Sequence, residues 1–369
     1  MFKQFKQLFT GKSNQPLELP VKEVVRETPD AISIHFEAPA GLTYRSGQFL
    51  TLIIDLNGEE VRRSYSLSSS PHTDADWVVS VKRVDGGQVS NYLNDQLRAG
   101  DRLRVLPPSG QFTIDESTTP RHVVLFGGGS GITPLISLAK TLLHREPESQ
   151  VSLVYANRDV DSIIFQARIH KLCDEHPHRF QVAHVLETHP GPSHESLAQA
   201  YAGRIDATVL ADAFEQMPPR PAGTEYFVCG PEGMMQTVIA QLQELGVPKE
   251  QIRKESFVVT VDEDARQEAY ETAAGGGGET HRVTVRYDGE EHAFEVKPDQ
   301  TILDAALDLD LDLPYSCQSG LCTACRGRCL SGKVHLDEME GLSQRELDEG
   351  YVLTCVGRPL TDDVVIEIG

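Results

Sequence analysis

No apolar run in this sequence reaches the roughly 18 residues that a membrane-spanning helix needs, so stable membrane insertion is not expected. Positive charge is scarce: 34 Lys+Arg against 55 Asp+Glu leave a net charge of −21. A nucleic-acid binder needs the opposite sign. The opening Met1–Phe9 segment is basic, with Phe2, Phe5 and Phe9 able to share a helical face. No long apolar run or small-residue cleavage site follows it, so residues 1–17 read as a leader and not as a signal peptide. The seven cysteines are odd in number and clustered, which excludes the disulfide framework of a small secreted protein. No internal repeat is found. These absences together predict a soluble cytoplasmic protein.

What is present is enough apolar residue, 39% of 369, for two or three packed domains. Residues 18–118 carry short alternating segments such as Ile32–Phe36, Phe49–Ile54 and Trp77–Val81, which predict an antiparallel β-barrel. Residues 119–259 change period. Continuous apolar runs at Val123–Phe126, Val151–Tyr155 and Glu225–Cys229 alternate with helical patterns and predict a parallel α/β domain. Residues 260–280 are acidic, then glycine-rich, with few apolar anchors, and read as a flexible tether. Residues 281–369 open with two alternating runs around Asp288-Gly289, a hairpin signal, and continue with a short helix capped near Thr301. A small mixed sheet packed on a helix fits that order.

Four cysteines fall within residues 317–329. Cys317, Cys322 and Cys325 have C-x4-C-x2-C spacing, the plant-type pattern for a [2Fe–2S] cluster whose fourth thiolate comes from far downstream. Cys355 fits that position. Cys329 lies in a segment that reads as a strand leaving the loop, where alternation sends it away from Arg326 and Arg328 as a packed free thiol. Structural zinc sites usually pair two Cys-x2-Cys units, and only one is present. Gly320 gives the loop a sharp turn.

Two further motifs suit dinucleotides. Arg63, Tyr65 and Ser66 end a strand and offer a phosphate partner, a ring face and a hydroxyl. Nearby, Gly86-Gly87-Gln88-Val89-Ser90 reads as a glycine turn entering a helix, whose free N–H groups can hold a pyrophosphate. Gly127-Gly128-Gly129-Ser130-Gly131-Ile132-Thr133-Pro134 follows a parallel strand directly, and Cys229-Gly230-Pro231 ends a later one, where ligands of such sheets gather.

In this order the motifs resemble the ferredoxin–NADP reductase superfamily fused to a plant-type ferredoxin, over nearly the whole chain from about residue 18. The stretches Gly203–Asp206, Cys229–Met235, Leu303–Leu307 with Leu313–Tyr315, and Gly350–Cys355 resemble the reductase components of phenylacetyl-CoA epoxidases and related oxygenases. The resemblance implies a β-barrel for FAD, an α/β domain for NAD(P)H and a C-terminal β-grasp ferredoxin domain. It implies flavin contacts from Arg63, Tyr65, Ser66, Gly87, Val89, Ser90 and Phe257. Lys82, Gly129, Ser130, Gly131, Thr133, Asn157, Arg158, Gly230 and Pro231 join them as cofactor-binding positions. Ser66 would lie near the reactive flavin nitrogen and Cys229 beside the nicotinamide, the pair expected to be catalytic. Cys317, Cys322, Cys325 and Cys355 would hold the cluster. NAD(P)H gives two electrons as one hydride and a [2Fe–2S] centre takes one at a time, so a flavin, able to do both, stands between them.

The expected function is therefore an electron-transfer reductase feeding an oxygenase such as a di-iron phenylacetyl-CoA epoxidase. The alternatives are the reductase of a Rieske, alkane or steroid hydroxylase, a redox sensor with little turnover, or a diaphorase without a dedicated partner. Arg158 beside Asp159 gives a mixed signal that favours NADPH over NADH. Residues 281–369 hold 18 acidic and 8 basic residues, a net −10. Asp337, Glu338, Glu340, Glu346, Asp348 and Glu349 are expected to include a face that steers an acceptor with a basic docking surface.

Overall fold

The computed structural model describes residues 16–56, 58–188, 197, 199–221, 223–257, 263–275, 279–311, 313–315, 317–318, 320, 323–339 and 341–369. The expected helical face of Phe2, Phe5 and Phe9, the ligand Cys322 and the acid Glu340 lie outside the described residues. The chain divides into two compact units, residues 1–258 and 259–369.

The first unit opens with β1 (Leu17–Thr28), β2 (Ala31–Glu37), β3 (Phe49–Leu56), β4 (Glu59–Ser66), β5 (Asp76–Lys82), α1 (Gln88–Gln96) and β6 (Arg102–Ser109). Every pairing is antiparallel, in the order β4-β3-β6-β1-β2-β5. An isolated bridge between Leu67 and Val79 joins the two edges, which closes the sheet into a barrel. Alternate residues of β2, Ile32, Ile34 and Phe36, fill the barrel interior with Leu50, Leu52 and Val79. Val89 and Leu93 of α1 belong to the same core.

The chain then runs through β7 (His122–Gly128), α2 (Ile132–Arg145), β8 (Gln150–Asn157), α3 (Gln166–Glu175), β9 (Phe180–Leu186), β10 (Ala200–Ala202), α4 (Ala207–Gln216), β11 (Glu225–Cys229), α5 (Glu232–Glu244) and β12 (Ile252–Glu255). The six strands are parallel, ordered β10-β9-β8-β7-β11-β12. β7 is buried along its whole length, which is why it reads as a continuous apolar run. From β7 the chain winds outward to one side and then crosses to β11 on the other. The switch point therefore lies between β7 and β11, where the glycine-rich turn and Cys229 both stand. Polar contacts fasten α2 to the barrel: Lys140 Nζ to Asp74 Oδ2 at 2.5 Å, Ser70 Oγ to Thr141 Oγ1 at 2.7 Å, and Ser137 Oγ donating to Ser69 O at 2.5 Å.

The second unit contains α6 (Glu263–Ala273), β13 (His281–Tyr287), β14 (Glu290–Val296), α7 (Ile302–Leu307), β15 (Arg326–Ser331), β16 (Val334–Leu336), α8 (Gln344–Asp348), β17 (Tyr351–Leu353), β18 (Gly357–Pro359) and β19 (Val364–Ile368). Its main sheet is ordered β14-β13-β19-β15-β17, with β13 and β19 parallel, and α7 shares its core: a β-grasp arrangement. The hairpin turn is made by Asp288 and Gly289, both at positive φ, as a two-residue loop with strand-matching twist requires. Thr301 caps α7 in a reciprocal capping box with Asp304.

The expected tether departs from its sequence reading. Its middle forms α6, and Tyr270 is 1% exposed, donating from its hydroxyl to Pro359 O at 3.1 Å. Arg358 reaches Gln267 Oε1 at 2.6 Å while its Nε donates to Asp337 Oδ2 at 2.9 Å. One aromatic anchor and one arginine suffice to dock a segment whose composition otherwise looks unfolded. Tyr270→Ala should lower the stability of this unit by about 3 kcal/mol, and Tyr270→Phe by about 1 kcal/mol. Urea unfolding followed by the visible absorbance of the cluster measures both. A loose tether would leave the midpoint unchanged in each.

Candidate functional site

The glycine-rich turn is shaped by close backbone approach. A Cβ on Gly131 would lie 2.0 Å from Cys229 O, and one on Gly230 would lie 2.8 Å from Gly128 N. The two glycine motifs, about a hundred residues apart in sequence, therefore seat against each other at the switch point. Gly129 adopts φ +51°. Thr133 is buried and its hydroxyl donates to Ser130 O at 3.0 Å, while Tyr155 donates to Gly129 O at 2.9 Å. Helix α2 starts from Gly131 with no side-chain cap, and α1 starts from Gly87 in the same way. Helices α3 and α5 also lack a side-chain cap, whereas Asp206, Thr301 and Ser343 cap α4, α7 and α8. Uncapped first turns present free N–H groups and the positive end of the helix dipole, which suits pyrophosphate oxygens. A Cβ on Gly87 would meet Ser90 Oγ at 2.7 Å, so the turn into α1 tolerates no side chain without rearrangement.

Arg63, Tyr65 and Ser66 lie on β4, with Arg63 exposed and Tyr65 half-buried against the barrel core. Burial raises the Tyr65 phenol, which stays neutral. Ser66 is buried, and its hydroxyl donates to Glu255 Oε2 at 3.2 Å. Glu255 ends β12, paired with Cys229 in register on β11. Desolvation pushes its carboxyl up to about 8. The Cys229 thiol is fully buried and raised well above its ordinary range by burial and by the nearby Glu255 charge. Ser66 and Cys229, the two expected catalytic residues, are thus joined through a third residue that carries no sequence motif. No motif or spacing rule in the sequence links Glu255 to Ser66, 189 positions away. Phe257 follows β12 and is 43% exposed, a large aromatic surface left open by the described residues. These residues fit a flavin: Tyr65 and Ser66 offer a ring face and a hydroxyl, and the uncapped start of α1 offers N–H groups to phosphate oxygens.

At the end of β8, Asn157 is buried and neither amide atom is hydrogen-bonded. Arg158 does not stand alone: its Nη2 donates to Asp30 Oδ2 at 2.8 Å. Lys82 Nζ lies 3.9 Å from the same oxygen.

In the second unit, Cys325 and Cys355 are buried with Sγ atoms 3.2 Å apart, and the Cys317 thiol acts on both. Among the described residues of the loop from Cys317 to Cys325, Gln318 and Thr323 are non-glycine residues in left-handed conformation. Gly320 has φ +77°, and a Cβ there would come within 2.9 Å of Glu338 Cβ. Thr354 N donates to Cys325 O at 3.1 Å, which ties the early loop to the late one. Three thiols gathered by a strained loop are a donor set for iron–sulfur ligation. Cys329 is half-buried on β15, and its thiol points instead to Ser331 O at 3.1 Å.

Family models agree with this geometry. An oxidoreductase FAD-binding domain matches residues 17–114, an oxidoreductase NAD-binding domain residues 125–239, and a 2Fe-2S iron-sulfur cluster binding domain residues 285–360. The ferredoxin reductase component of the 3-ketosteroid-9-alpha-monooxygenase of Rhodococcus rhodochrous is 39% identical, over 95% of this chain and 96% of that protein. One component of the 1,2-phenylacetyl-CoA epoxidase of Escherichia coli K12 is 35% identical over the same shares. Among solved structures, phthalate dioxygenase reductase is 25% identical with a TM-score of 0.58, covering 96% of this chain and 98% of that one. An intact type IV self-sufficient cytochrome P450 monooxygenase shares the fold at 23% identity and a TM-score of 0.69, over 96% of this chain and 41% of that one. Among the described residues no helix is long and apolar enough to cross a membrane. The chain belongs to the family of oxygenase reductase components, NAD(P)H-dependent oxidoreductases that join FAD-binding, NAD-binding and [2Fe–2S] domains in one polypeptide.

Proposed function

We propose that the chain takes hydride from NAD(P)H at the crevice between Ser66 and Cys229 and releases single electrons through the centre held by Cys317, Cys322, Cys325 and Cys355. The observation that carries this reading is the Ser66–Glu255–Cys229 constellation at the switch point of the sheet. When bound, FAD converts a two-electron donor into a one-electron supply, which is the chemistry the cluster requires. The protein supplies position and proton control. The uncapped starts of α1 and α2 would hold the two pyrophosphates, and Arg63 would offset flavin phosphate charge. Buried Cys229 stays a neutral thiol, so it packs beside the nicotinamide without repelling or attacking it. Glu255, with its carboxyl raised to about 8, keeps a proton at neutral pH and can exchange it with the Ser66 hydroxyl, the group that would face a bound flavin. The buried setting excludes water from hydride transfer.

The acceptor is an oxygenase component, as for the named relatives. A di-iron epoxidase of phenylacetyl-CoA type is the first reading. A ketosteroid-type monooxygenase is the second, favoured by the 39% identity to such a reductase. The protein works in the cytoplasm, where its clustered thiols remain reduced for iron binding. The acidic docking face is narrower than composition implied. Asp337 belongs to the interior: its side chain is 1% exposed and pairs with Arg358. Glu346 is engaged by Arg326 and by the α8 cap. Asp348 and Glu349 remain exposed.

Three outcomes test this account. Cys355→Ala should abolish the reduced-state EPR signal and the stoichiometric iron and sulfide, while Cys329→Ala keeps them; an intact signal in the Cys355 variant sinks the ligand set. The folded-state pKa of Glu255 lies above its unfolded value near 4.5, so its stabilising contribution is complete below that value and is lost as pH rises through about 8. Melting of flavin-loaded protein, followed by flavin fluorescence, should therefore fall more steeply between about pH 5 and 8 than in Glu255→Gln. Identical slopes would show that the carboxyl titrates normally. Finally, electron delivery to the oxygenase should slow several-fold between low and physiological salt, and charge reversal at Asp348 and Glu349 should slow it further. Flavin reduction by NAD(P)H should change little. Delivery indifferent to both changes would leave these acids as a solvated coat.

A further inference from the structure

The second strand end of a nucleotide-binding sheet is where adenosine ribose is read. A carboxylate there takes the 2′,3′-diol, and an arginine accepts a 2′-phosphate. Neither of the two residues that the sequence offers at this place is free. Asp159 caps a short 3₁₀ turn, its Oδ1 accepting from Ser162 N at 2.8 Å. Arg158 is bound to Asp30, which comes from the β1–β2 turn of the flavin barrel.

Asp30 is firmly placed. The Thr28 hydroxyl donates to its Oδ1 at 2.8 Å, its carbonyl accepts from Arg83 N at 2.7 Å, and its side chain is 25% exposed. Arg158 is 62% exposed, so the pair is organised by the carboxylate and not by the guanidinium. Lys82, in register beside the same turn, stands 3.9 Å from Asp30, and its Nζ is 3.4 Å from where a Cβ on Gly129 would lie. The cluster therefore sits on the nicotinamide-nucleotide loop. Behind it is the buried, unpartnered amide of Asn157, a group that a hydroxyl-bearing ligand would satisfy.

We infer that Asp30 is a specificity-determining residue for the nicotinamide nucleotide. It occupies Arg158 and places a negative charge where a 2′-phosphate would bind, and so selects the unphosphorylated ribose of NADH. This rests on the NAD(P)H reading above and deepens it. Without Asp30, Arg158 and Lys82 form a two-cation pair suited to a phosphate dianion. With it, one cation is neutralised and the dianion meets a carboxylate. The Arg158–Asp159 pair in the sequence favoured NADPH; the Asp30 ion pair turns the balance toward NADH.

The test uses the FAD-loaded holoprotein and two probes that differ only in the 2′-phosphate, adenosine 2′,5′-bisphosphate and 5′-AMP, titrated by calorimetry. Wild type should bind 5′-AMP at least as tightly. Asp30→Asn should raise the bisphosphate affinity about tenfold and leave 5′-AMP within about twofold, since an exposed pair alone is worth no more than about fivefold and relief of repulsion adds to it. Asp30→Glu should restore the wild-type ratio. In an Arg158→Ala background the Asp30→Asn gain should shrink to under about threefold, because the two side chains act through each other. In turnover, the NADPH-to-NADH preference of Asp30→Asn should move through KM and leave kcat unchanged. Arg158→Ala alone, a surface change, should weaken bisphosphate binding several-fold and spare 5′-AMP. An unchanged ratio in flavin-loaded Asp30→Asn, or in Arg158→Ala, overturns the inference while the NAD(P)H reading stands. Failure of wild type to bind either probe overturns both.

Discussion

The site depends on a backbone contact. Gly131 lies so close to the Cys229 carbonyl that any side chain at position 131 would occupy the same space. That contact sets the start of α2 against the end of β11 and fixes the width of the crevice at the switch point. It also places Cys229 level with Glu255 on the neighbouring strand, and Glu255 reaches Ser66 across to the barrel. Ion and hydroxyl pairs between α2 and the barrel, Lys140 with Asp74 and Thr141 with Ser70, hold that registration. The polar groups proposed to serve hydride transfer are therefore positioned by a steric constraint that involves no reactive group.

The second unit applies a different device to a similar problem. Its thiols are brought together by a loop that bears left-handed backbone at Gln318, Gly320 and Thr323. The cost of those conformations is offset by the β-grasp core behind the loop, in which Cys325 and Cys355 are themselves members. Leu303 N donates to Thr354 O, so α7 is bonded to the loop that carries the last thiol. A short helix with a capping box at Thr301 thus contributes to the rigidity of the metal centre.

Features that arise between neighbours along the chain are legible in the amino-acid sequence. The Asp288-Gly289 hairpin, the Thr301 cap and the parallel run at Val123–Phe126 each follow from local chemistry, and the fold contains them. The cysteine spacing is equally informative, because a loop that ligates iron leaves its geometry in the intervals between thiols. Glu255 and Asp30 are not legible in this way. Each acts on a residue more than a hundred positions away, and only the folded contact gives it a role. Composition misleads twice for the same reason. The segment around Tyr270 looks unanchored because that tyrosine is the buried residue among 267–273, and Asp337 looks like surface charge because its arginine partner lies 21 residues downstream.

The central claim is an obligatory order: hydride enters at the Ser66–Glu255–Cys229 crevice, and electrons leave only through the thiol-ligated centre. Anaerobic rapid mixing of NADH or NADPH with the holoprotein, followed by flavin absorbance and freeze-quench EPR of the cluster, tests it most directly. The account predicts flavin bleaching first, then the reduced-cluster signal. Protein stripped of FAD but retaining its cluster should show no cluster reduction at all. A cluster reduced by the nicotinamide nucleotide in flavin-free protein, or a flavin that reduces the oxygenase while the cluster stays oxidised, would contradict it.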